Sequence, residues 1–222
     1  MTDFINTLEN EFEKGGNPKL ALEQKAYLRN QFEFFGMKAA DRREIQKPFL
    51  IKACLPKKTE AIEIIRFLWL KPQREFQYFS QELAFKYAKI SEEKDMDLFE
   101  FMVAHKSWWD TVDYIATKLM GNYFKRFPET RKFYVDKWLK SEHLWLQRSA
   151  LLFQLKYKDE LDTHLMSETI TALLGSKEFF INKAIGWILR EYSRTNPKWV
   201  MDFTEKTALN PLSKREAIRL MI

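Results

Sequence analysis

KTEAIEIIRFLWL, residues 58–70, and REFQYFSQELAFKYA, residues 74–88, are the two segments that decide the fold class. Apolar side chains recur in both every three or four residues: Ala61, Ile64, Ile65 and Leu68 in the first, and Phe76, Phe79, Leu83 and Tyr87 in the second. This spacing places each set on one face of an α-helix. Pro72 separates the segments, so the pattern predicts two consecutive helices with a short connection.

Helical spacing of apolar residues extends along the rest of the 222 residues, and helix-breaking residues are few. The chain has only 6 Gly and 7 Pro, and they separate segments of helix length. No alternating run predicts a strand, and no linker predicts a domain boundary. The sequence therefore predicts an all-α fold, either a bundle or a helical solenoid, with about a dozen helices in a single domain over residues 1–222.

Composition and charge exclude several classes of protein. An apolar fraction of 45% excludes a disordered chain. The most apolar stretch is interrupted by Arg66, so no membrane span is expected, and the acidic, periodic N-terminus is unlike a signal peptide. The single Cys54 fits a reducing cytoplasm, where we expect the protein to act. A net charge of +6 favours an anionic partner such as nucleic acid.

One long-range spacing favours the solenoid. Trp109, Arg148 and Trp187 follow one another at intervals of 39 residues. Helical repeats of the HEAT and armadillo kind have periods of about 40 residues. Because one residue per period lines a shared surface in such proteins, the spacing predicts that these three side chains face the same way.

The segment INKAIGWILREYSRT, residues 181–195, predicts a helix with an aromatic residue away from its apolar face. Trp187 lies about 120° from the centre of the face formed by Ile181, Ala184, Ile185, Ile188 and Tyr192. Its neighbours on that far side are Lys183, Gly186, Arg190 and Arg194. Two interpretations are open: a tryptophan packed against another helix, or an aromatic contact within a surface that attracts phosphate.

The segment SWWDTVDYIATKLM, residues 107–120, predicts a second helix, which Ser107 is expected to cap. Trp109 and Asp113 are separated by four residues and are therefore neighbours on its shoulder. An aromatic ring beside a carboxylate suits a cationic ligand. The alternative is an aspartate that merely faces water near the start of a helix.

The segment HLWLQRSALLFQL, residues 143–155, predicts a helix that is apolar almost all round, with Arg148 on its apolar stripe. A buried guanidinium needs an anionic partner, because an unpaired buried charge is very costly. That partner is either a carboxylate in an ion pair between two helices, or a phosphate at a solvent-facing edge. Periodicity alone does not separate the two.

Other residues give weaker signals. The three histidines, His105, His143 and His164, have no metal-ligand spacing with one another or with Cys54, so we expect no metal and no cofactor. The pair formed by Arg42 and Arg43 is compatible with a solvated face and with a nucleic-acid surface.

Several segments together resemble the AlkD-type DNA alkylation repair glycosylases. They are SWWDTVDYIA at 107–116, LWLQRSAL at 144–151 and NKAIGWILREYSRTNP at 182–197, together with AYLRNQFEFFGMKAADRR at 26–43 and REFQYFSQELA at 74–84. The resemblance covers nearly the whole chain and implies a HEAT-like α-solenoid with a concave basic DNA-binding surface. It also implies an enzyme that removes cationic N3- or N7-alkylated purines from duplex DNA and leaves an abasic site.

The resemblance also assigns residue roles. The catalytic set maps onto Asp113, Trp109 and Trp187. DNA contact is expected from Arg148 and Tyr27, which the resemblance implies, and from the basic residues Lys183, Arg190, Arg194 and Arg43. The expected partner is duplex DNA with alkylated bases, and the protein is expected to act as a monomer without metal, cofactor or membrane. Two alternatives are a non-catalytic DNA-binding relative and a HEAT-like scaffold for protein partners.

Overall fold

The computed structural model describes residues 1–221, and within this range the fold is all-helical. The helices are α1 Thr2–Gly15, α2 Pro18–Tyr27, α3 Ala39–Gln46, α4 Lys58–Trp69, α5 Arg74–Lys86, α6 Asp95–Ala104, α7 Trp109–Tyr114, α8 Gly121–Arg126, α9 Arg131–Lys140, α10 Leu144–Leu152, α11 Thr163–Ala172, α12 Phe179–Tyr192, α13 Pro197–Lys206 and α14 Pro211–Ile218. Extended pairing among these residues is limited to an isolated bridge between Glu33 and Gln73. The predicted fold class is confirmed.

The helices group into two compact units, one of residues 1–90 and one beginning at Ser91. The predicted single domain over 1–222 stays a prediction. In the first unit, the two segments that predicted the fold form α4 and α5, and their predicted apolar faces are buried except for Tyr87. Tyr87 follows the end of α5 and is half-buried. An aromatic core joins them to α1, with Phe12 packed 5.7 Å from Phe76 and 6.4 Å from Phe79 between ring centroids.

A buried carboxylate fixes the loop that follows α2 in the first unit. Glu75, at the start of α5, accepts hydrogen bonds from the backbone N–H groups of Phe35 at 3.1 Å and Gly36 at 2.9 Å. Gly36 has a φ of 93°, and a Cβ there would lie 2.1 Å from the carbonyl oxygen of Asn17. Only glycine fits both this close approach and this φ.

The second unit contains a regular helical repeat. Helices α7, α10 and α12 begin at residues 109, 144 and 179, a spacing of 35 residues. The 39-residue interval in the sequence is therefore not the structural period. It exceeds that period by about one helical turn, so Trp109, Arg148 and Trp187 occupy successive turns on successive helices rather than equivalent positions.

Helix α7 continues without a break into a π-helical segment, Ile115–Met120, and then into α8. Apolar spacing in this segment predicts a core face of Trp108, Val112, Ile115, Ala116 and Leu119; the last four are buried, and Trp108 is partly buried. The predicted cap is wrong, since α7 begins at Trp109 and has no side-chain cap. The Ser107 hydroxyl instead donates a hydrogen bond to the carbonyl of Val103 on α6, at 2.5 Å.

Candidate active site

Asp113 on α7 and Arg148 on α10 form a bidentate ion pair. Arg148 Nε donates to Asp113 Oδ1 at 2.7 Å, and Arg148 Nη2 donates to Asp113 Oδ2 at 2.9 Å. The exposed fractions of the side chains are 4% for Arg148 and 15% for Asp113. Of the two partners that the sequence left open for Arg148, the structure contains the carboxylate, and contact between Arg148 and a phosphate stays a prediction.

A third hydrogen bond orients the arginine. Arg148 Nη1 donates to the carbonyl oxygen of Phe180 in the first turn of α12, at 2.5 Å. The Phe180 ring packs 5.4 Å from Trp108 and 5.0 Å from Trp145 between centroids, and Arg148 Cζ lies 5.8 Å from its centre. Three helices and an aromatic cluster thus hold the guanidinium, and through it the Asp113 carboxylate, in one orientation.

The pKa of Asp113 follows from this environment. Burial raises it above the ordinary value, and the charge of Asp110 adds to the rise. The hydrogen bonds and charge of Arg148 oppose the rise but do not cancel it. The carboxylate therefore combines low exposure with a fixed position, which are the conditions under which a charge stabilises a nearby developing cation most strongly.

The two tryptophans predicted to contact the substrate lie on α7, which carries Asp113, and on α12, which carries the carbonyl that accepts from Arg148. Trp109 is the first residue of α7, one turn before Asp113, and is partly buried. Trp187 lies in the middle of α12 and is also partly buried, whereas the apolar face predicted for that helix is fully buried. Each ring thus keeps some exposed surface with which to contact a ligand.

The basic face of α12 has a neighbour that the sequence did not predict. Lys183 Nζ lies 2.7 Å from Glu216 Oε1, and Arg190 Nη1 lies 2.5 Å from Glu216 Oε2. Glu216 belongs to α14, which packs against α12 at Gly186. The third cation, Arg194, is more exposed and lies 3.9 Å from Glu191. Of the three cations on α12 that were predicted to contact phosphate, Lys183 and Arg190 are therefore paired with the Glu216 carboxylate.

The remaining predicted DNA contacts belong to the first unit. Tyr27 is the last residue of α2, and its side chain is 72% exposed. Arg43 on α3 is exposed, with Nε 3.8 Å from Glu82 Oε1. Its neighbour Arg42 is buried and donates hydrogen bonds to Gln46 and Glu82, so the solvated pair considered from the sequence is wrong for Arg42.

Residues 1–221 contain no group of three or more His, Cys, Asp or Glu side chains placed to hold a metal ion. Within the same range, every helix is too short or too polar to cross a membrane. Cys54 is an exposed free thiol.

Two residues at the site had little signal in the sequence. Phe180 contributes a backbone carbonyl, which any residue would supply, so its identity could not indicate the contact. Glu216 lies in the acid-poor segment NPLSKREAIRLMI, where one glutamate in a helix gives no functional pattern. Its only indirect signal is Gly186, because a glycine inside a helix costs about 1 kcal/mol and implies a close neighbour.

The second unit is thus a helical-repeat unit with a buried Asp–Arg pair, and its aspartate lies one turn from the partly exposed Trp109. The DNA alkylation repair enzyme family model matches residues 8–221, so the chain belongs to that family. A solved structure described as a predicted DNA alkylation repair enzyme from Enterococcus faecalis is 32% identical. The match covers 93% of this chain and 96% of that one, with a TM-score of 0.87. None of the curated proteins compared with the chain matches it.

Proposed function

We propose that this protein is a monofunctional DNA glycosylase that hydrolyses the N-glycosidic bond of cationic N3- or N7-alkylated purines. The observation that carries the proposal is the fixed Asp113 carboxylate, held by Arg148 and one turn from Trp109. Membership of the alkylation repair family supports DNA as the substrate. We further propose that the protein acts as a monomer in the cytoplasm.

The chemistry of the lesion explains why one carboxylate is enough. A purine alkylated at N3 or N7 carries a positive charge, so the base leaves as a neutral molecule and needs no general acid. Most glycosidases use a second carboxyl group as a general acid, because their leaving group would otherwise depart as an anion. The enzyme must still stabilise the oxocarbenium-like positive charge that develops on the deoxyribose as the bond breaks.

Asp113 meets this demand in the proposed mechanism. Each carboxylate oxygen accepts one hydrogen bond from Arg148 and retains acceptor capacity for a water molecule. The carboxylate stabilises the sugar cation and orients the water that attacks it. No amine nucleophile is required, so the products are a free base and an abasic site.

The aromatic and basic residues bind the substrate. Trp109 and Trp187 contact the sugar and the cationic base through CH–π and cation–π interactions. Phosphate contacts are assigned to Arg148, Lys183, Arg190, Arg194 and Arg43, and an aromatic contact at the lesion is assigned to Tyr27. Arg148 already donates hydrogen bonds to three acceptors in the protein. We therefore propose that it contacts the DNA backbone while it remains paired with Asp113.

The test is incubation of the protein with a duplex that carries one N7-methylguanine, followed by alkaline cleavage of any abasic site. We expect cleavage at the lesion with wild-type protein and with Asp110→Asn, a matched control that removes a carboxylate from the same turn of α7. We expect little cleavage with Asp113→Asn. Binding of the duplex without cleavage by the wild-type protein would favour the non-catalytic alternative.

A further inference from the structure

Glu216 engages both cations that flank Trp187, although sequence and family resemblance assign it no role. Lys183 and Arg190 are seven residues apart, two turns along the same side of α12, and Trp187 lies between them. One carboxylate oxygen contacts Lys183 Nζ at 2.7 Å, and the other contacts Arg190 Nη1 at 2.5 Å. The carboxylate thus bridges the two groups that were expected to bind phosphate.

The geometry matches what a DNA phosphate would need. A phosphodiester has two non-bridging oxygens that share a negative charge, and it is bound by Lys and Arg through charge-assisted hydrogen bonds. Glu216 presents two oxygens and one negative charge to the same cations. Its side chain is 9% exposed, whereas Lys183 is 38% and Arg190 is 23% exposed, so the cations remain reachable from solvent.

Close packing fixes the carboxylate in this place. A Cβ at Gly186 would lie 2.5 Å from Glu216 Cβ and 2.9 Å from the carbonyl oxygen of Ser213, so α14 approaches α12 at a glycine. The Ser213 hydroxyl also donates to the carbonyl of Asn182 at 2.8 Å. The hydrogen bond from Lys183 and the charges of both cations lower the pKa of Glu216, which keeps it ionised.

We propose that Glu216 is an internal counter-ion that occupies, in the free protein, the place of a DNA phosphate and limits the affinity of α12 for the DNA backbone. This inference rests on the DNA-binding part of the proposed function and concerns regulation of the same site. Phosphate contacts supply most non-specific affinity. An enzyme that must leave undamaged DNA quickly gains from cations that are already partly neutralised.

The test compares binding of an undamaged duplex over a series of salt concentrations. We expect Glu216→Gln to bind more tightly at low salt, by roughly threefold for each phosphate contact that is gained, and to steepen the salt dependence by about one to two units. The double variant that combines Glu216→Gln with Lys183→Gln should have a salt dependence about one unit less steep than Glu216→Gln alone. Glu216→Asp, which withdraws the carboxylate by one methylene, should show an intermediate gain.

The matched control is Glu160→Gln, which changes the net charge equally and releases Lys125 from a 2.6 Å ion pair elsewhere in the second unit. An equal gain in Glu160→Gln would overturn the proposal, because the effect would be one of net charge. Unchanged affinity in folded Glu216→Gln, checked by its melting curve, would also overturn it. If Glu216→Gln does not fold, the absence of a gain in Glu216→Asp would have the same force.

The two proposals fail separately. Tighter binding by Glu216→Gln without excision by the wild-type protein would support the counter-ion and contradict the glycosylase. Excision by the wild-type protein with unchanged binding by Glu216→Gln would support the glycosylase and contradict the counter-ion.

Discussion

The Asp113 carboxylate is held by Arg148 from the next helical repeat, 35 residues further along the chain, through two hydrogen bonds of 2.7 and 2.9 Å. The same separation links Lys156 with Glu191 and Lys125 with Glu160, both at the protein surface. The Asp113–Arg148 pair differs because it is buried and has a third acceptor on α12. A contact that elsewhere joins neighbouring repeats here also positions the proposed catalytic group.

Replacing Asp113 with Asn should reduce excision by about a hundredfold or more, the scale seen when one preorganised stabilising group is lost. The cost in stability should exceed that of a surface change, since Arg148 loses a charged partner in a buried site; we expect about 1–3 kcal/mol. Single-turnover excision of N7-methylguanine, measured well below the melting temperature with binding in parallel, checks this. Excision at the wild-type rate would make the carboxylate a bystander.

Replacing Arg148 with Ala should destabilise the fold by about 3–5 kcal/mol, because the Asp113 charge is left buried without a partner. Replacing both residues, as Asp113→Leu with Arg148→Met, should restore much of that loss, since burial of the pair has its own desolvation cost. Urea unfolding of the two single variants and the double variant gives the coupling energy. Additive losses would show that the pair is not coupled.

Excision should decrease as the pH falls through the pKa of Asp113, because only the ionised carboxylate stabilises the sugar cation. Burial raises this pKa, so the acid limb of the profile should lie above the ~3.9 of an unperturbed aspartate. The raised pKa also means that the contribution of this group to stability is greatest at low pH and is lost as the pH rises through the folded-state value.

The measurement is the single-turnover rate between about pH 4 and 8, corrected for spontaneous loss of the base. Asp113→Asn serves as the control and should lack the acid limb. A wild-type rate that stays constant down to about pH 4 would contradict the assignment.

Replacing Gly186 with Ala tests the contact between α12 and α14. Helix propensity alone would stabilise the protein by about 1 kcal/mol. The new Cβ would instead lie 2.5 Å from Glu216 Cβ, so we expect a net destabilisation of about 1–3 kcal/mol from overpacking. Thermal unfolding checks the sign, and an increase in melting temperature would show that α14 can move away at little cost.

The sequence by itself determined the fold class and the faces of the helices. Apolar spacing identified the buried sides of α4, α5 and α12, because the 3.6-residue period of a helix converts sequence separation directly into direction. The same reasoning placed Arg148 on a buried stripe and Asp113 beside Trp109. The family motifs, which are also local in sequence, indicated the proposed chemistry.

The tertiary structure alone decided what lies opposite each face. The partner of Arg148 could have been a carboxylate or a phosphate, and the basic side of α12 could have faced solvent. In the structure, Arg148 pairs with Asp113, which lies 35 residues earlier on another helix. Lys183 pairs with Glu216, which lies 33 residues later on another helix. Periodicity fixes the direction of a side chain about its own helix axis but contains no information on which helix packs against it, because that depends on the path of the connecting loops.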